Sequence, residues 1–244
     1  MTADFIEAPE QRWKLLRRVL PKRLQPVLRG LRKRITRPRD LAEPYRSVFA
    51  FTQVALERQA NLLRLAGEIE ATGIPGAVVE CGVLDGGTAA LMAFGTQASG
   101  RPIHLFDSWE GLPDTTVKDG TAAAVWSKNV VGSPRRVATV MKALNIAPNR
   151  LRFHPGWFSD TFPKAEISQI ALLHIDADFY DSVRISLERW FPALVPGAYV
   201  QLDDYQAFIG CRRAVDEFLT LHPELVLRSS GTGAKAYYFQ VPHG

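Results

Sequence analysis

Two short apolar runs in this chain end abruptly in carboxylates. Ile170–Ile175 leads into Asp176-Ala177-Asp178, and Ala198–Leu202 leads into Asp203-Asp204-Tyr205. An apolar run of that length, bounded by turn signals, fits a strand buried on both faces of a parallel sheet. The acids then fall at strand C-terminal ends, where open α/β sheets place their ligands. Four like charges brought to one sheet edge repel each other unless a cation or a proton intervenes. Asp176, Asp203 and Asp204 offer only oxygen, which suits a hard divalent ion such as Mg²⁺. The plainer reading makes them helix caps and strand-end hydrogen-bond acceptors.

A second constellation begins at Glu80. The run Val78-Val79-Glu80-Cys81-Gly82-Val83-Leu84-Asp85-Gly86-Gly87 is a strand, an acid and a glycine-rich turn. Glycine lets the backbone turn sharply and approach a ligand closely. The spacing matches neither the Gly-x-Gly-x-x-Gly of a dinucleotide fold nor a P-loop. Asp107 closes the next apolar run, 27 residues after Glu80. An acid at that point can take two ribose hydroxyls. An adenosine-bearing ligand without a pyrophosphate cradle follows, and S-adenosyl-L-methionine fits better than NAD.

These residues need strands and helices in alternation to bring them together. Helical periodicity covers Phe49–Thr72, about Thr88–Thr96, Arg135–Leu144, Ser182–Leu194 and Gly210–Leu221. Strand patterns cover Ala77–Val83, Pro102–Asp107, Leu151–His154, Ile170–Ile175 and Ala198–Leu202. Leu225–Leu227 and Ala236–Val241 read as a closing hairpin around a Ser-Ser-Gly-Thr-Gly turn. The alternation predicts an α/β fold, Rossmann-like, with a seven-stranded, mostly parallel sheet and an antiparallel C-terminal edge hairpin.

The chain has 244 residues, 46% of them hydrophobic, enough for one sizeable core. No apolar run spans a membrane, and no secretory leader is evident, so a cytoplasmic location is expected. Cys81 and Cys211 are too few for a metal cluster and read as reduced structural thiols. The formal charge of +5 hides an asymmetry. Residues Gln11–Arg39 hold twelve Lys and Arg and no acid, leaving eighteen basic and twenty-five acidic residues elsewhere. Leucines and valines recur through this arm at roughly helical spacing, with Pro21 and Pro26 expected to break it. Such an arm can touch an anionic membrane surface or an acidic partner. It can equally pack on its own domain or on a second subunit, and a homo-oligomer is expected. Residues 1–48 thus form a basic arm and linker, and 49–244 the folded domain. Lying apart from the glycine loop in sequence, residues 1–39 are expected to be dispensable for cofactor binding.

Several blocks in order resemble the macrocin O-methyltransferase family, class I S-adenosylmethionine-dependent and metal-dependent sugar O-methyltransferases. They are Gly76-Ala-Val-Val-Glu-Cys-Gly-Val, Phe106-Asp-Ser-Trp-Glu-Gly-Leu-Pro, Gly156-Trp-Phe-Ser-Asp-Thr-Phe-Pro, His174-Ile-Asp-Ala-Asp-Phe-Tyr-Asp-Ser, Asp203-Asp-Tyr and Gly210-Cys-Arg-Arg-Ala-Val-Asp-Glu-Phe. The resemblance runs from about Phe51 to Phe239; the basic arm is not part of the motif set. It implies that Glu80, Gly82 and Gly86 hold the methionine part of the cofactor and that Asp107 and Ser108 hold the ribose. Gly156 and Trp157 would lie near the adenine. Asp176, Asp203 and Asp204 would bind the metal, and Asp178 would be the general base. Segment 114–149 would cap the pocket for a glycoside acceptor.

Methyl transfer to oxygen is an in-line substitution that needs alignment and removal of a proton. A sugar hydroxyl is a poor nucleophile, and a divalent cation lowers its pKa and orients it. On an extended strand Asp176 and Asp178 would face the same side, one toward a metal and one toward the acceptor. As an alternative, Asp178 would cap the following helix. His174, inside an apolar strand, reads as a hydrogen-bonded core residue, whereas His154, beside Gly156, could touch cofactor or substrate. Two other functions fit parts of the pattern. A catechol- or phenol-type O-methyltransferase would want an aromatic slot in place of the mixed polar segment Lys118–Arg136. A non-catalytic binding protein would use the arm, but has no use for four carboxylates at one strand edge. No nucleic-acid partner is expected.

Overall fold

A computed structural model describes Pro21 and residues 24–243. Its helices are α1 (Gln25–Ile35), α2 (Leu56–Ala71), α3 (Gly87–Gly95), α4 (Pro134–Ala143), α5 (Tyr180–Trp190) and α6 (Ile209–Leu221). Its strands are β1 (Ala77–Cys81), β2 (Ile103–Asp107), β3 (Leu151–Pro155), β4 (Ile170–Ile175), β5 (Leu194–Leu202), β6 (Arg228–Ser230) and β7 (Ala236–Gln240). Short helical turns occupy Tyr45–Val48, Phe49–Phe51 and Thr121–Trp126.

The strands form one sheet in the order β3-β2-β1-β4-β5-β7-β6. The first five are parallel, and β7 runs antiparallel to both β5 and β6. This is the expected seven-stranded sheet with its antiparallel edge. The strand order reverses between β1 and β4, which opens a crevice at their C-terminal ends.

Alternation along each strand divides the core into two layers. Val78, Ile103, Leu105 and Leu172 pack with Leu62, Leu65, Leu91, Met92, Val137 and Met141 on one face. Val79, Phe106, Leu173, Ile175, Val200 and Leu202 pack with Val183, Leu187, Trp190 and Phe218 on the other. Both faces are covered, which is why β1 and β4 are buried along their whole length. Register then aligns three polar residues. Glu80 pairs with His174, and His174 pairs with Gln201, on adjacent strands. All three are buried on the face covered by α2, where Asn61 donates to Gln201 at 2.8 Å.

Several boundaries differ from the sequence expectation. The helix expected from Phe49 begins at Leu56, because Phe49–Phe51 is a separate tight turn. The helix expected to reach Leu194 ends at Trp190, where Pro192 follows in a tight turn that runs straight into β5. The hairpin's first strand is Arg228–Ser230, not Leu225–Leu227, so the expected turn residues Ser229 and Ser230 pair with β7. Pro26 sits in the first turn of α1, where its missing N–H has no helical partner to lose, so it starts the helix and does not break it. The expectations for residues 1–20, 22 and 23 of the arm lie outside the described residues. Among the described residues no helix is long and apolar enough to cross a membrane. Cys81 and Cys211 are free and buried.

Candidate active site

The parallel ladder delivers the acids to the crevice. Asp176 N–H donates to Cys81 O at 2.9 Å, and Asp203 N–H donates to Ile175 O at 3.0 Å. One carboxylate oxygen from each of Asp176, Asp203 and Asp204 lies within 4.8 Å of the others. Asp203 Oδ2 pairs with Arg58 Nη1 at 2.8 Å. Its other oxygen is buried with no hydrogen-bond partner. A buried orphan oxygen beside two further carboxylates fits the all-oxygen donor set of a hard divalent cation. Burial, reinforced by mutual repulsion, raises Asp176 and Asp178 well above the usual carboxylate range and Asp204 to about 6. Such a cluster is poised to exchange protons for a cation.

Asp178 is not on a strand. β4 ends at Ile175, and Asp178 adopts a left-handed backbone with φ of 56°. The period-two argument for its direction therefore does not hold. Its N–H donates to Asp204 Oδ2 at 3.2 Å, and it lines the same cavity as the cluster. Nor does it cap the next helix: Phe179 is the N-cap residue of α5 and makes no side-chain cap. Asp119 of the cap segment does this work instead, accepting Tyr180 N–H at 2.7 Å. Its second oxygen accepts Thr116 N–H at 2.8 Å and Thr116 Oγ1 at 3.0 Å.

The glycine loop closes against β4. A Cβ on Gly82 would sit 1.9 Å from Asp176 O, at a φ of 90°. Only glycine lets the ends of β1 and β4 meet there. Asp107 Oδ2 accepts the N–H groups of Val83 and Leu84, both at 2.8 Å, and Oδ1 accepts that of Trp109 at 2.6 Å. Asp107 therefore shapes the loop as well as facing the cavity. Glu80 is fully buried, with Oε1 2.8 Å from His174 Nδ1. His174 Nε2 stands 3.8 Å from Asp203 Oδ1. Burial opposes charge on His174, but Asp203 and Glu80 override it and raise the imidazole to about 9.

Asp107 and the four carboxylates at the ends of β4 and β5 share one cleft of about 490 Å³, a size suited to a small-molecule ligand. Gly82, Asp107, Ser108, Gly156 and Trp157 line it together with Asp176, Asp178, Asp203 and Asp204. Of the residues singled out in the sequence, Glu80 and Gly86 are not lining residues. Glu80 is held by His174, and Gly86 packs against Val137 of α4. Asp114, Thr116, Asp119, Trp126 and Val130 enter the lining from segment 114–149. His154 stays outside the lining: it stacks on Phe106 at 4.1 Å and meets His104 at 3.0 Å.

Arg58 and the capping role of Asp119 escape a reading of the sequence. Arg58 did leave a signal. It falls on the same side of α2 as Leu62, Leu65 and Ile69, and a cation on an apolar helix face needs a buried partner. Asp119 left none, because Asp-Gly in a polar segment reads as a turn.

The model of the macrocin-O-methyltransferase (TylF) family matches residues 9–224. The match takes in residues 11–39 of the basic arm. The chain is 35% identical over 189 residues to 8-demethyl-8-(2,3-dimethoxy-alpha-L-rhamnosyl)-tetracenomycin-C 4'-O-methyltransferase of Streptomyces olivaceus, covering 74% of this chain and 72% of the relative. It is 32% identical over 195 residues to mycinamicin III 3''-O-methyltransferase of Micromonospora griseorubida, covering 75% and 76%. The solved O-methyltransferase NovP superposes with a TM-score of 0.71 at 28% identity, covering 79% of this chain and 83% of that one.

Proposed function

The chain belongs to the macrocin O-methyltransferase family and is an O-methyltransferase, and we propose that it moves a methyl group from S-adenosyl-L-methionine to a sugar hydroxyl of a glycosylated small molecule. A hard divalent cation such as Mg²⁺ would be held by Asp176, Asp203 and Asp204, with Asp178 as the base. The observation that carries this reading is the convergence of four carboxylates and the loop-holding Asp107 on one cleft.

When bound, the cation supplies Lewis-acid activation and orientation of the acceptor hydroxyl. Asp178 accepts the hydroxyl proton at a carboxylate oxygen. Its burial and its acidic neighbours raise its proton affinity, which suits a base. Asp107, held in place by the N–H groups of Val83 and Leu84, forms the ribose end of the donor site with Ser108. Gly156 and Trp157 offer the adenine a backbone edge and an aromatic face. Arg58 restrains Asp203 through Oδ2 at 2.8 Å, while Oδ1 stands 3.8 Å from His174 Nε2. The capping segment and α5 bring Asp114, Thr116, Asp181 and Ser182 to the lining beside the aromatic Trp126 and Phe208, a mixed wall, so the choice of a sugar acceptor rests on the relatives' glycoside substrates.

A panel of glycosides and catechols offered with isotope-labelled methyl donor tests the reading. Label should enter glycosides only, chelator should abolish it, and Mg²⁺ should restore it. Labelling of catechols alone would assign the planar-acceptor chemistry. Full turnover after exhaustive chelation would remove the cation from the mechanism.

A further inference from the structure

Asp85 sits in the glycine loop, yet its side chain is fully buried and faces away from the cleft. Two guanidinium groups reach it from outside the loop. Arg29 of α1 donates to Asp85 Oδ2 from Nε at 3.1 Å and from Nη2 at 2.8 Å. The same Nη2 donates to Val131 O at 2.9 Å. Arg136 of α4 places Nε 3.0 Å from the same oxygen. Its guanidinium lies 4.5 Å from the Phe51 ring centre and donates to Ala50 O. Gly30 makes room for it, since a Cβ there would stand 2.4 Å from Arg136 Nη1. The arm helix is thus notched over one arginine and plugged into the loop by another.

The residues on either side of Asp85 do the work at the cleft. Leu84 has a left-handed backbone with φ of 54°, lines the cleft and donates its N–H to Asp107. Gly86 starts α3. A carboxylate buried between these points must be neutralised, and the loop carries no cation of its own. Losing one guanidinium would leave part of that charge uncompensated, and the loop would relax by moving Asp85 toward solvent. That movement would drag Leu84 away from Asp107.

We propose that Arg29 is a positioning residue for the cofactor loop, so that docking of the arm helix and binding of the methyl donor are coupled. This rests on the reading that S-adenosylmethionine occupies the loop. Coupling is reciprocal: donor binding should also hold α1 in place. It replaces the sequence expectation that residues 1–39 are dispensable for cofactor binding.

The test uses the full chain. S-adenosylhomocysteine is titrated calorimetrically into wild type, Arg29→Ala, Arg29→Lys, Asp85→Asn and the Arg29→Ala/Asp85→Asn double variant. KM for the methyl donor and kcat are measured separately. Arg29→Ala should raise both the Kd and the donor KM at least ~10-fold, with kcat at saturating donor within ~3-fold. Arg29→Lys should recover part of the loss, because it keeps the charge but not the paired donors. In the Asp85→Asn background Arg29→Ala should add little. Hydrogen exchange of residues 24–36 should slow when S-adenosylhomocysteine binds wild type, a readout that survives if Arg29→Ala fails to fold. A lowered kcat with unchanged donor KM and Kd would make Arg29 merely structural and overturn the proposal. So would ligand-independent exchange of α1 in wild type. No binding of S-adenosylhomocysteine to wild type would sink the cofactor reading itself, and the coupling with it.

Discussion

Lowering the pH should stabilise the cation-free protein, and the acid cluster should be the cause. Burial, with the charge of Asp203, raises Asp204 from an ordinary 3.8 to about 6. A carboxylate raised in the folded state holds its proton more tightly there than in the unfolded chain. Its contribution is complete below about pH 4 and is lost as the pH rises through about 6. The full difference is on the order of 3 kcal/mol, of which roughly 1.4 kcal/mol returns between about pH 7.5 and about pH 5. Asp176 and Asp178 are raised mainly by the same burial and push in the same direction. For a chain of this length, ~1.4 kcal/mol corresponds to ~3–6 °C in Tm. Other groups titrate over the same range, so the measurement is a difference. Asp204→Asn removes the titration, and the Tm gain of wild type on acidification, in chelator, should exceed that of the variant by ~3–6 °C. A cation competes with these protons. Added Mg²⁺ should therefore raise Tm at about pH 7.5 and lose most of that effect at about pH 5. Parallel Tm–pH curves for wild type and Asp204→Asn would refute the electrostatic reasoning. An unchanged Tm on adding Mg²⁺ at both pH values would refute the cation site.

Three substitutions probe the rest of the site. Asp178→Asn keeps the shape but cannot accept a proton, so kcat should fall about 10²–10⁴-fold with little change in donor affinity; near wild-type kcat would assign the base elsewhere. Asp107→Ala removes the acceptor for three loop N–H groups as well as the proposed ribose contact, so calorimetry should show donor affinity at least ~10-fold weaker; unchanged affinity would exclude it from the donor site. Asp119→Ala leaves Tyr180 N–H buried without its partner and should cost about 1–3 kcal/mol in denaturant unfolding; a change below about 0.5 kcal/mol would show that the cap segment is not tied to α5.

The sequence alone determined the fold class, because strand and helix periods follow from the local alternation of apolar residues. It also determined that acids end β2, β4 and β5, since an unpaired acid is costly inside a buried strand and favours the point where the strand stops; Glu80 is tolerated within β1 because His174 pairs with it. The resemblance of its blocks implied the donor, the acceptor class and the roles of the four aspartates, and those roles stand as proposals. It failed where direction depends on backbone that no period describes. Asp178 was assigned to a strand face by counting residues, and its left-handed backbone put it elsewhere. His154 was set beside the ligand by its adjacency to Gly156 and Gly86 by the resemblance; neither lines the cleft, and His154 stacks on Phe106 while Gly86 packs against Val137. Tertiary structure alone decided the long-range pairs: Arg58 on Asp203, Asp119 on Tyr180, and Arg29 on Asp85 across 56 positions. In each, a buried carboxylate or N–H takes the nearest complement in space, and which residue that is depends on how whole helices pack. The arm looked detachable because it lies apart from the glycine loop in sequence. Its described helix α1 docks on the domain, where Arg29, together with Arg136, pairs with the buried Asp85.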